Sequence, residues 1–141
     1  MKSTDNQIYA RIESISEIEK KIEILKDIPQ DFQIEMQLRL EIPRCGDTEM
    51  SVQLKSLYLY QNRPLFTYAV EYKYEFEDIE SVFEFSDEIV DKRGVLPAIV
   101  DTVIGGLRGM LALSLKDTPY QDVILPYANP EMLLRLLKKE Q

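Results

Sequence analysis

The sequence predicts an α+β protein: an antiparallel meander sheet of about four strands packed against one long helix and a short C-terminal helix. Two patterns carry that expectation. Apolar and polar residues alternate over 31–42 and again over 65–76, which marks strands with one dry and one wet face. A nearly unbroken apolar run over 96–115 marks a helix covered on most of its circumference.

The strands are taken first. In 31–42, Phe32, Ile34, Met36, Leu38, Leu40 and Ile42 alternate with Gln33, Glu35, Gln37, Arg39 and Glu41. Gly46 and Asp47 mark the turn that follows. In 49–61, Met50, Val52, Leu54, Tyr58 and Tyr60 share one face, while Leu57 and Leu59 fall on the other. That mixture predicts a bulge or apolar contact on both faces. A tight turn is expected at Asn62-Arg63-Pro64. In 65–76, Phe66, Tyr68, Val70, Tyr72, Tyr74 and Phe76 line one face, with Glu71, Lys73 and Glu75 opposite. Short links between the three predict an antiparallel meander.

Before these strands, Ile8, Ile12, Ile15, Ile18, Ile22 and Leu25 recur at spacings of three and four. That is one face of a helix over 5–27, ended by Pro29. The β-branched side chains and the alternation Ile22-Glu23-Ile24 also admit a strand. After the strands, residues 77–94 mix acidic groups with single apolar ones, which reads as a crossover that packs a few side chains down. The long helix follows at 96–115, then a short strand from Asp122 to Leu125. Asn129-Pro130-Glu131 reads as the start of a last helix reaching Lys139, with Asn129 as its cap. The whole is expected to be a single domain over 1–141, with a helical N-terminal segment at 1–30.

Composition narrows the function. The chain has no histidine, which removes the usual general base near neutral pH and the commonest metal ligand. It has one cysteine, so no intrachain disulfide forms and no thiolate cluster holds a metal, as suits a reducing, cytoplasmic setting. No phosphate-cradling glycine loop is present. These gaps predict a non-enzyme without cofactors. Carboxylates alone, clustered between Glu75 and Asp91, leave a carboxylate-only enzyme as the remote alternative. A formal net charge of -8 disfavours nucleic acid and anionic membrane surfaces. Membrane insertion is not expected of the apolar helix either, because Asp101 and Arg108 sit within it.

Two features point to binding. The aromatic faces supply candidate polypeptide contacts at Tyr58, Phe66, Tyr68, Tyr72, Tyr74 and Phe76, although the same residues suit a core or a subunit interface. The long helix is apolar on two sides, more than one small sheet can cover. A second subunit is the economical cover, with Val103, Gly105, Gly106, Leu107, Gly109 and Met110 as candidate interface residues. Gly105 and Gly109, four apart, would let a partner helix approach closely, and a close contact within the chain explains them equally well.

The stretch Thr118-Pro119-Tyr120-Gln121-Asp122-Val123-Ile124-Leu125-Pro126-Tyr127-Ala128-Asn129-Pro130-Glu131-Met132-Leu133 resembles the SecB family of export chaperones. That family has a long helix, a proline-containing break, a short strand ending in Leu-Pro, and an Asn that opens the last helix. The resemblance makes residues 31–138 a SecB-like core. Leu96-Pro97-Ala98-Ile99 departs from the family's Phe-Pro-Tyr-Ala-Arg-like helix start, and the family's longer acidic tail is missing. The resemblance is thus to a divergent relative, including the kind associated with toxin–antitoxin systems. It implies a homo-oligomer, a dimer or a tetramer, with sheets pairing across subunits and long helices between them. It also implies hydrophobic grooves that hold non-native polypeptides without ATP. The alternative is a dedicated interaction protein that sequesters one specific partner, such as an antitoxin.

Overall fold

The computed structural model describes residues 7–24, 34–122 and 128–140. Four strands make one antiparallel sheet: β1 (Ala10–Ile22), β2 (Glu35–Glu41), β3 (Glu49–Tyr60) and β4 (Arg63–Phe76). Their spatial order is β1-β4-β3-β2. A 3₁₀ turn at Ile79–Ser81 leads to a small hairpin, β5 (Phe83–Phe85) with β6 (Ile89–Asp91). Then come α1 (Leu96–Ser114) and α2 (Pro130–Glu140). The fold class is α+β, as the alternation and the apolar run predict.

The meander β2–β3–β4 pairs in sequence order. Its first strand begins at Glu35; residues 25–33 lie outside the described residues, and so do most of the residues of the short strand expected from Asp122 to Leu125. The irregularity predicted for β3 falls between Tyr58 and Leu59. Pro64 enters β4 just beside it, where a missing N–H disturbs the ladder least. The turn itself lies one residue earlier than expected, at Gln61 and Asn62, whose positive φ angles of 51° and 63° give the twist a two-residue hairpin needs.

The N-terminal helix is the expectation the structure overturns. Residues 10–22 are strand β1, and the fourth strand of the sheet comes from the N-terminus. The register explains the misleading spacing. Ile12 lies opposite Tyr74, Ile15 opposite Tyr72 and Ile22 opposite Phe66, so all three share the aromatic face of β4. In a regular strand, residues three apart point to opposite faces. Register shifts between Ile12 and Ser14, and between Glu17 and Glu19, each insert one residue and restore the face. Two bulges in a strand thus imitate the period of a helix.

One hydrophobic core lies between the sheet and α1. Met50, Val52, Leu54 and Tyr58 of β3 and the aromatic face of β4 meet Leu96, Val100, Val103, Ile104, Leu107 and Leu111 of α1. Asp91 fixes the start of that helix: its carboxylate accepts from Val95 N at 3.1 Å and Leu96 N at 2.8 Å. The crossover tucks Ile79, Val82 and Phe83 into the same core, with Phe83 edge-on to Phe76 at 5.5 Å. Helix α2 opens as expected, with Asn129 Oδ1 accepting from Glu131 N at 2.9 Å, and its Leu133 joins the core.

Candidate functional site

The aromatic ladder of β3 and β4 is buried. None of Tyr58, Phe66, Tyr68, Tyr72, Tyr74 and Phe76 is more than 7% exposed. They pack on one another and under α1: Tyr58 stacks on Phe66 at 4.2 Å, and Phe66 contacts Tyr120 at 5.1 Å. The candidates for direct polypeptide contact are therefore core residues in the single chain. The physical reason is that large apolar rings on one face of a twisted sheet attract the most apolar element available, and α1 is that element.

Burial shows in their hydroxyls. Desolvation pushes Tyr58 and Tyr74 up to about 12, with Tyr72 adding to the rise at Tyr74. It raises Tyr68 and Tyr72 as well. Tyr68 donates to Glu17 Oε2 of β1 at 3.2 Å, and Tyr120 donates to the carbonyl of Glu23 at 2.7 Å. The two bonds tie β1 to the body of the fold. Among the described residues, the buried Tyr58 hydroxyl has no hydrogen-bond partner.

The interface candidates on α1 divide. Val103 and Leu107 are fully buried against the sheet. A Cβ at Gly106 would overlap the Tyr72 hydroxyl, so that glycine is a close contact within the chain. Met110 is half-buried against the core. Gly105 and Gly109 face open space, alongside the exposed Ala98, Thr102 and Ala112. Only these two of the six candidates remain available to a partner helix.

What the sequence reading missed is β1. Ile12 and Ile15 are 42% and 48% exposed on the same side of the sheet as α1, at a flank the helix leaves open. Tyr9 and Ile18 of the same segment are also exposed, as are Leu113 on α1 and Met132 on α2. The isoleucine repeat was the available signal; read as a helix, it concealed an exposed apolar strand. Near its start, Ile8, Tyr9, Arg11 and Glu75 border an open depression of about 470 Å³.

The opposite face of the sheet is polar. Arg11 pairs with Glu75 at 2.9 Å and Lys55 with Glu19 at 3.1 Å. Glu49 is raised by a hydrogen bond shared with Glu13 and by that group's charge. A shallow dish of about 210 Å³ lies between Ile18, Glu19, Arg39, Glu41, Gln53 and Lys55. Its cations lie among its carboxylates, so the dish has mixed charge.

No family model and no curated protein matches the chain. Among solved structures, it is similar to a SecB-like chaperone of Mycobacterium tuberculosis, in complex with a ChAD peptide from the HigA1 antitoxin. The TM-score is 0.55 at 11% sequence identity, covering 84% of this chain and 90% of that one. The chain has the SecB-like fold.

Proposed function

We propose that this chain is one subunit of a cytoplasmic homo-oligomer, a dimer or a tetramer, that binds non-native polypeptides without ATP. The observation that carries this reading is the uncovered apolar surface. On a SecB-like fold, the isoleucines of β1 and the small-residue side of α1 face solvent in a single chain. Exposed contiguous apolar surface on a soluble protein marks an interface or a binding site. Packing of α1 against a partner's helix along Gly105 and Gly109, and cover of Ile12 and Ile15 by the partner, would bury it. Client segments then bind in grooves between elements at the edges of the assembly, since the aromatic ladder is closed. Burial contributes about 25 cal/mol per Å². Association and ordering offset much of that, so tight holding needs several grooves acting together.

The dedicated-partner reading has one observation behind it: the similar chaperone was solved with a peptide from an antitoxin. Co-purification from the native host, followed by identification of bound chains, separates the two. Many unrelated polypeptides support the chaperone; one recurring partner supports the dedicated binder; none contradicts both.

A further inference from the structure

The two edges of the sheet are built differently, and the difference assigns them different work. β1 is interrupted by two register shifts. Bulges break the row of outward N–H and C=O groups and are a common device against strand addition. β2 runs through seven residues, Glu35 to Glu41, with no shift in register. Among the described residues no strand pairs with its outer edge. An unbulged edge of that length spans ~23 Å, at roughly 3.3 Å per residue.

Side chains beside this edge describe the occupant. On the side of the core, Met36 and Leu38 are only partly buried, and α2, which packs on β2, carries the exposed Met132. Methionine adapts its shape to varied apolar partners. On the other side stand Glu35, Gln37, Arg39 and Glu41, all exposed, with Glu35 and Glu41 at the two ends. Antiparallel pairing of β2 with a second copy about its midpoint would set Glu35 against Glu41 twice, which like charges oppose. A cationic segment meets no such opposition, and the chain's net charge of -8 attracts it.

We propose that the free edge of β2 takes an extended polypeptide segment as an added strand, its alternate residues apolar toward Met36 and Leu38 and cationic toward Glu35 and Glu41. This rests on the polypeptide-binding reading and names the form in which the client is held. Backbone hydrogen bonds would provide sequence-tolerant affinity, and the flanking side chains a bias in composition.

The test uses the full-length protein and a labelled ten-residue peptide alternating valine and lysine. Two derivatives carry N-methyl groups on every valine or on every lysine. In an added strand only alternate residues turn their N–H groups toward the edge. One derivative should therefore lose at least ~10-fold in affinity, as expected for loss of several hydrogen bonds, while the other stays within ~3-fold of the parent. Hydrogen exchange should slow in Glu35–Glu41 when the parent binds. Equal affinities for the two derivatives, or slowed exchange confined to β1, would overturn the inference and leave polypeptide binding standing. No binding of the parent peptide would contradict the binding function and this inference with it.

Discussion

At the residue scale, a few contacts make sharp demands. Gly106 has no room for a side chain, because the Tyr72 hydroxyl occupies the space a Cβ would need. Gly106→Ala should destabilise the chain by about 1–3 kcal/mol in denaturant titration, the usual range for overpacking. The buried Tyr58 hydroxyl makes the opposite case. With no partner among the described residues, it adds desolvation without a compensating bond. Tyr58→Phe should be neutral or stabilising by about 1 kcal/mol. The sign of the pH effect follows from the raised value. Desolvation moves Tyr58 from 10.0 to about 12, so the folded state disfavours the phenolate. Its contribution is complete below pH 10 and is lost as pH rises through about 12. Tyr58→Phe should flatten part of that alkaline loss; an unchanged profile would place the loss on Tyr74, raised to the same value.

At the element scale, the meander and the long helix were legible in the sequence because each has a single period over its whole length. β2 and β4 alternate strictly, and α1 runs 19 residues with a buried stripe from Leu96 to Leu111. β1 was not legible, because its two bulges give a strand the spacing of a helix. Nothing in local propensity decides between them; the decision comes from pairing with β4, 50 or more residues away, which the sequence does not display. The candidate site failed for a related reason. Alternation shows that Phe66, Tyr68 and Tyr72 share a face, but not whether that face meets a helix of the same chain or a client. The exposed apolar residues are on β1, where the reading was wrong. Ile12→Lys and Ile15→Lys should therefore change the stability of the isolated fold by less than about 0.5 kcal/mol, as exposed substitutions do. They should lower the assembled mass by light scattering. Intact assembly with both substitutions would remove β1 from the interface.

At the scale of the whole molecule, the account requires that single chains do not stay single. α1 turns Gly105, Gly109 and Leu113 to solvent on the side away from the sheet. Gly105→Leu or Gly109→Leu should weaken assembly at micromolar concentration, because neither side chain meets anything within its own chain. The central claim is the binding of non-native polypeptides by that assembly. Its most direct measurement is the aggregation of slowly folding clients, followed by light scattering with the wild-type oligomer present and no nucleotide added. The account predicts suppressed aggregation for several unrelated clients. Undiminished aggregation with every client, in the presence of the intact oligomer, would contradict general chaperoning.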